Sequence, residues 1–183
     1  MALVGPGCVN FRDVGEWMDT IAGWGALPRR RLLRGGRLED VDAARSIGHP
    51  GTIVNLRRGA DPSRLAFGAT PHHHPIANDL EVYRTSDAGV RRWLRGILLD
   101  FAGPIVRYPV MVHCTSGKDR TGVVVATLLT ILGAPNDAIV GEYLLSDGEV
   151  EESWIRGALA GIGDPDRTFK GVDLEVVRRR LRG

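Results

Sequence analysis

This sequence predicts an α/β fold with a mainly parallel central sheet flanked by helices, and three features carry the prediction. Short unbroken apolar runs, Ile53-Val54 within residues 51–56 and Val110-Met111-Val112, have the length of buried strands. Longer stretches repeat their apolar residues at helical spacing, as Val90, Trp93, Leu94, Ile97, Leu98 and Phe101 do within residues 87–101. The two kinds alternate along the chain, which is the pattern of strand, crossover helix and strand.

Taken in order, residues 10–15 read as a loop or short turn. Residues 23–34, with glycines and a proline between apolar and aromatic residues, read as a hairpin. A short helix is expected over 40–47 and a buried strand over 51–56, after which Arg57-Arg58-Gly59-Ala60-Asp61-Pro62 turns away. His72-His73-His74-Pro75-Ile76 reads as the next strand, followed by the loop Ala77-Asn78-Asp79. Strand alternation sends His72 and His74 to one face and His73 to the other. No Cys/His set at zinc spacing accompanies them, so no metal is expected. Gly103-Pro104 stops the helix of 87–101, and Gly133-Ala134-Pro135 stops a second helix that runs from Val123 through Leu132. Residues 136–145 form another, with Ile139, Val140, Tyr143 and Leu144 on one face. Leu174, Val177 and Leu181 fit a last helix bearing Arg178-Arg179-Arg180. That basic run, like Arg29-Arg30-Arg31, reads as a solvated face.

Between the strand at 110–112 and the helix that follows lies His113-Cys114-Thr115-Ser116-Gly117-Lys118-Asp119-Arg120-Thr121-Gly122. Successive backbone N–H groups in such a loop, joined by those of the first helical turn, make a concave anion site. Cys114 stands at its entrance, where the same field and a neighbouring guanidinium favour a thiolate. Arg120 offers a planar fork of donors that can hold two oxygens of a tetrahedral phosphate while the sulfur attacks phosphorus. Thr115, Ser116, Gly117, Lys118, Asp119 and Arg120 are thus the expected phosphate-binding residues. Lysine occurs elsewhere only at Lys170, although the chain has 24 Lys+Arg, so Lys118 is read as functional. Thr121 can donate a hydrogen bond to the sulfur and is grouped with His113 as support for the nucleophile.

This stretch resembles the signature of the cysteine-dependent protein tyrosine phosphatase superfamily, His-Cys, five residues, Arg, then Ser or Thr and Gly, with every position filled. Its Gly-Lys-Asp-Arg-Thr-Gly ending is similar to the bacterial branch of tyrosine and dual-specificity phosphatases, some of which also act on phosphoinositides. Asn10-Phe11-Arg12-Asp13-Val14-Gly15, Leu33-Arg34-Gly35-Gly36-Arg37-Leu38, Ile53-Val54-Asn55-Leu56-Arg57 and Glu142-Tyr143-Leu144-Leu145-Ser146 resemble that branch's recurring segments, in its order. The resemblance implies a protein tyrosine phosphatase-like fold and phosphomonoester hydrolysis through a cysteinyl-phosphate, with no cofactor and no metal. It also implies a carboxylic acid on a loop to protonate the leaving oxygen. Asp79 follows the strand ending at Ile76 and is the first choice, although the usual Trp-Pro-Asp wording is absent. Asp119 is the competitor, as acid, as base for water or as a structural acceptor. Catalysis is therefore assigned to Cys114, Arg120, Asp79 and Asp119. For Arg12 and Asp13 the resemblance suggests a polar network behind the loop, and an exposed ion pair is the other reading. The expected partner is a phosphorylated protein, phosphotyrosine first, or alternatively a small-molecule sugar, nucleoside or inositide phosphate. A phosphate-binding module without turnover is a third reading, against which intact Cys114 and Arg120 stand.

Length and composition agree with such an enzyme. At 183 residues the chain is expected to be one phosphatase domain, 1–183, and its 43% hydrophobic and 25% charged residues suit a soluble protein. No apolar run has membrane-spanning length. The N-terminus lacks a charged region followed by an apolar one, so no signal peptide and a cytoplasmic location are expected. A net charge of +2 is too small to suggest a nucleic-acid binder. Cys8 and Cys114 could form one bridge, but it would lock the nucleophile. A structural disulfide is not expected, and a reversible redox bridge stays open.

Overall fold

The computed structural model describes residues 7–77 and 80–183. Its regular elements are β1 (Arg12–Asp13), α1 (Val14–Ala22), β2 (Leu32–Gly35), β3 (Thr52–Asn55), β4 (Thr70–His73), α2 (Ala88–Ala102), β5 (Val110–His113), α3 (Asp119–Ile131), α4 (Asn136–Leu144), α5 (Glu152–Ile162), α6 (Pro165–Thr168) and α7 (Leu174–Arg182). Five strands form one sheet in the order β1-β2-β5-β3-β4. All neighbours are parallel except β1 with β2. The α/β expectation with a mainly parallel sheet is therefore met. Among the described residues, no helix is long and apolar enough to cross a membrane.

Strand alternation divides the core in two. Leu33, Met111 and Ile53 lie side by side across β2, β5 and β3, and pack with Cys8, Leu38 and Leu65 on one face. Leu32, Val110, Val112 and Val54 point the other way, into the larger core built with α2, α3 and α7. Arg34 is level with Val112 and Val54, so the same alternation drives a guanidinium into the larger core. Helix α2 begins after Asp87, whose carboxylate accepts from the Gly89 and Val90 N–H groups. It buries Val90, Trp93, Leu94, Ile97, Leu98 and Phe101, the residues its spacing singled out. Each such burial stabilises by about 1.5–3 kcal/mol before the entropy of ordering is subtracted.

Several local readings differ. The loop or short turn expected over 10–15 holds instead the short strand β1 and the start of helix α1, which is capped by Asp13, buries Val14 and Met18 and runs on to Ala22. Residues 23–34 are not a hairpin, because their one strand, β2, pairs in parallel with β5. The expected helix at 40–47 is a short 3-10 turn over Ala44–Ile47. Leu144 is 40% exposed rather than on the apolar face of α4. The C-terminal arginines are not simply solvated: Arg178 donates to Ile131 O, Arg180 to Gly103 O and Val106 O, and Arg182 to Leu132 O. Ile131 O, Leu132 O and Gly103 O lie at or next to the C-terminal ends of α3 and α2, where cations are favoured, and Val106 O lies in the connection to β5. Arg31 likewise lies over the Tyr108 ring, 3.8 Å from its centroid.

Candidate active site

Cys114 follows directly on β5, the middle strand of the sheet, and α3 starts at Asp119, so residues 114–118 turn the chain from strand to helix. The carbonyls of this turn are engaged one after another by the surrounding scaffold. Thr115 O accepts from the Arg37 N–H at 3.0 Å, and Ser116 O from Asn10 Nδ2 at 2.8 Å. Gly117 O accepts from Arg34 Nη2 at 2.8 Å, while Lys118 O opens the hydrogen-bond ladder of α3 itself, accepting from the Gly122 N–H at 2.6 Å. In a trans peptide the N–H opposes the C=O, so fixing these carbonyls outward turns the following N–H groups inward. The Gly117 N–H does point in, donating to Cys114 Sγ at 3.3 Å. Gly117 has φ +72°, and a Cβ there would lie 2.5 Å from the Gly35 carbonyl carbon. Only glycine fits such a position. At Gly122 a Cβ would come within 2.9 Å of the Tyr143 ring, so this glycine lets α3 approach α4.

Behind the loop is a buried charged cluster. Arg12 Nε contacts Glu142 Oε1 at 2.7 Å and Arg34 Nη1 contacts Glu142 Oε2 at 2.5 Å, with side-chain exposures of 0% and 1%. Arg12 also donates to Glu142 O and to Ser146 Oγ. Burial alone would raise the Glu142 pKa, but the two guanidiniums outweigh it and hold the carboxyl below its usual value. Burial and the neighbouring Arg12 bring Arg34 down to about 10, which leaves it charged at neutral pH. Arg34 is thus the link that ties Glu142 to the carbonyl of Gly117. Of the two readings for Arg12 and Asp13, the network holds for Arg12, while Asp13 caps α1 and accepts from the Arg30 N–H.

His113 is fully buried, with Nε2 lying 2.8 Å from Asp61 Oδ2. Asp61 is brought there by Asn55, which shapes the turn after β3 by accepting from the Arg57 N–H and donating to Gly59 O. Arg120 spans the mouth of the loop, donating to Leu56 O at 3.1 Å and to Thr115 Oγ1 at 3.2 Å. Its guanidinium is therefore anchored at both ends, beside the concave side of the turn.

The rim is aromatic. Asp119 Oδ1 accepts from the Tyr83 hydroxyl at 2.8 Å, and the Tyr143 hydroxyl lies 2.7 Å from that of Tyr83. A carboxylate only accepts, so Tyr83 donates to Asp119 and Tyr143 donates to Tyr83. Burial and then these hydrogen bonds push the Tyr83 pKa far above the usual phenol range, and Tyr83 remains a donor. The rings of Tyr83 and Trp154 are 5.7 Å apart. Together with Glu81, Val82 and Asp119 they line a cleft, and a second cleft is lined by Arg58, Ile76, Leu80, Asp119 and Arg120.

Cys114, Thr115, Ser116, Gly117, Asp119 and Arg120 are thus brought together, with His113 directly behind. Lys118 is turned aside, its Nζ donating to Glu149 O at 2.7 Å. The Thr121 hydroxyl is buried without a hydrogen-bond partner among the described residues, so it does not donate to the sulfur in this conformation. Asp79 lies outside the described residues. Burial pushes the Cys8 thiol up to about 12, and its Sγ donates to Gly36 O at 3.6 Å, so Cys8 behaves as a packed, protonated thiol. No role is expected from the sequence for Arg34, Glu142, Ser146, Asn10, Asp61, Tyr83 or Trp154. For the first four a signal existed, because they lie in the recurring segments that accompany the loop.

Over 44 residues the chain is 50% identical to the triple specificity protein phosphatase PtpB of Mycobacterium tuberculosis, a stretch covering 24% of this chain and 16% of that protein. Over 37 residues it is 49% identical to a tyrosine-protein phosphatase of Nostoc commune, covering 20% and 13% respectively. Each match thus spans only a small part of the relative. In three dimensions the core catalytic domain of the PP-IP phosphatase SIW14 from S. cerevisiae aligns with a TM-score of 0.57 at 16% identity, over 75% of this chain and 83% of that one. TpbA of P. aeruginosa aligns at 0.50 with 20% identity, over 84% and 88%. At these identities the likeness is one of fold. Residues 3–160 match the sequence profile of the tyrosine phosphatase family, a span that takes in the Cys114 loop, the Arg12, Arg34 and Glu142 cluster behind it and Asp61, and the chain belongs to that family.

Proposed function

We propose that this protein hydrolyses phosphomonoesters in two steps through a cysteinyl-phosphate. Cys114 Sγ attacks phosphorus while the P–O bond to the leaving group breaks, and the leaving oxygen takes a proton from a carboxylic acid. Water then attacks the cysteinyl-phosphate, releasing phosphate and regenerating the thiolate. The observation that carries this reading is the turn itself: three outward-fixed carbonyls, an inward N–H on Cys114 Sγ, and Arg120 anchored across the mouth. Such a cradle offers preorganised donors to the equatorial oxygens of a transferring phosphoryl group. It supplies positive charge without a metal. Asp79 is the assigned acid. Asp119, already the acceptor of the Tyr83 hydroxyl, is assigned to orient or deprotonate the attacking water.

Aryl phosphates, phosphotyrosine in protein substrates first, are the proposed substrate class. The aromatic wall of Tyr83 and Trp154 beside Asp119 supports it, because a substrate ring can pack there while its phosphate lies in the cradle. The second reading is a small anionic metabolite, favoured by the adjoining cleft where Arg58 joins Arg120 and in keeping with the PP-IP phosphatase among the fold relatives. Two measurements test the proposal. Cys114→Ser should abolish turnover while phosphate-analogue binding persists, and turnover like that of the wild type would refute the cysteine mechanism. In a kcat/KM panel, phosphotyrosine peptides should exceed phosphoserine peptides and sugar, nucleoside and inositol phosphates. A metabolite ahead of every phosphopeptide by more than about tenfold, about 1.4 kcal/mol in transition-state binding, selects the second reading.

A further inference from the structure

Away from the phosphate loop, on the edge of the sheet, three metal-ligating side chains meet. His72 lies on β4 and His74 just beyond it, and both point to the face that α2 covers. There His72 Nδ1 and His74 Nε2 each lie 2.6 Å from the same oxygen of Asp100, Oδ2. All three ligand atoms lie within 4.8 Å of one another. His73, between them, faces the other way, with Nε2 2.9 Å from Arg57 O. The expectation that no metal binds the histidines considered only Cys and His partners. The third group is an aspartate supplied by a helix, beyond the reach of any spacing rule within the strand.

We propose that His72, His74 and Asp100 form a binding site for one divalent transition-metal ion, zinc in the first place. Two ring nitrogens converge on one carboxylate oxygen rather than sharing the two oxygens, each 2.6 Å away, just below the usual N–H···O range of about 2.7–3.2 Å. The same convergence is what three ligands around a common ion require. Zinc holds imidazole nitrogen and carboxylate oxygen at about 2.0–2.2 Å in tetrahedral array, which places neighbouring ligand atoms about 3.3 Å apart. Lengthening the two 2.6 Å N···O contacts by less than about 1 Å makes room for the ion between nitrogens already within 4.8 Å of each other, and the fourth position is left to water. Two imidazoles and a carboxylate suit zinc, cobalt or nickel and do not suit calcium or magnesium.

Rigid elements position the donors. His72 is paired with Val54 in the β3–β4 ladder, the His74 N–H donates to Asn55 O at 2.9 Å, and His74 O accepts from Trp93 Nε1 at 2.8 Å. Side-chain exposures of 7%, 20% and 26% for His72, His74 and Asp100 leave the cluster open to an ion from solvent on one side. A bound ion ties the edge strand to α2 at the start of the connection that carries Asp79.

Calorimetric titration of the purified, metal-stripped protein with zinc should give one saturable site and a higher Tm. His74→Ala and Asp100→Asn should each weaken that site at least about tenfold, and His73→Ala should leave it unchanged. Asp100→Asn keeps the shape of the side chain and serves if His74→Ala does not fold. Cys114 is a competing ligand, so cobalt is the second probe. At this site it should give visible bands of nitrogen and oxygen ligation without the thiolate-to-cobalt charge-transfer band. No saturable zinc binding, binding unaltered by both cluster variants, or a cobalt spectrum dominated by thiolate would each overturn the proposal.

Discussion

The rear of the phosphate loop and its front rim are built from different materials. At the rear, Arg12, Arg34 and Glu142 are almost wholly excluded from water and joined by short contacts. At the front, Arg120 is half-buried, Asp119 is held by one tyrosine hydroxyl, and open clefts adjoin both. A buried ion pair contributes little net energy compared with apolar packing, yet removing one partner is costly because the other charge is stranded. The rear therefore sets the shape of the cradle and couples that shape to folding. The front, free of such coupling, can contact the substrate and vary without unfolding the domain.

The largest expected effect lies at the rear. Glu142→Ala strands two buried guanidiniums and should cost about 3–5 kcal/mol of stability, read from the midpoint of urea unfolding. Loss below about 1 kcal/mol would mean that the cluster does not bear on the fold. Its pH dependence follows from the lowered Glu142 pKa. The stabilisation is fully present above the unfolded carboxyl value of about 4.3 and is lost as pH falls through the lower folded value. Glu142→Gln should remove that part of the acid dependence.

Arg120→Lys, at the front, should reverse the balance. A point charge cannot reproduce the anchored fork, so kcat/KM should fall about 10²–10³-fold, as for loss of a preorganised donor, while Tm moves little. Equal losses of stability and activity would erase the distinction between the two regions. Smaller again is the effect expected at Asp79, the proposed acid. Asp79→Asn should slow a phenyl or alkyl phosphate about 10²-fold and an ester with a good leaving group far less. If Asp119→Asn shows that leaving-group dependence and Asp79→Asn does not, the acid is Asp119.

Legibility in the sequence follows the same division. The motif from His113 to Gly122, the parallel sheet and helix α2 could be read because each is local: a fixed spacing, an apolar run, a 3.6-residue period. Helix α1 was hidden by glycines and a short length, and β2 by the turn residues around it. Arg34 and Glu142 are 108 residues apart, and although each lies in a recurring segment, nothing local to either tells that the two charges will be buried together. Asp61 and His113, and Asp100 with His72 and His74, are likewise made neighbours only by the crossovers. Lys118 shows the converse, since its place within the motif suggested a phosphate contact and its side chain turns to Glu149 instead.

The smallest expected effect concerns the aromatic rim and bears on the substrate class. The Trp154 and Tyr83 ring centroids are 5.7 Å apart, and Trp154 lines the cleft beside Asp119. An aromatic contact is worth about 0.5–1.5 kcal/mol beyond area burial, which is about two- to tenfold in rate when it forms in the transition state. Trp154→Ala should therefore lower kcat/KM for phosphotyrosine peptides by up to about tenfold and leave an alkyl phosphate within about twofold. The comparison between the two substrates matters more than either loss, because damage to the cradle slows both alike. A selective loss makes the front rim the source of aryl preference. An equal loss makes Trp154 a support for Tyr83 and Asp119, and shifts the choice of substrate to the Arg58 side of the site.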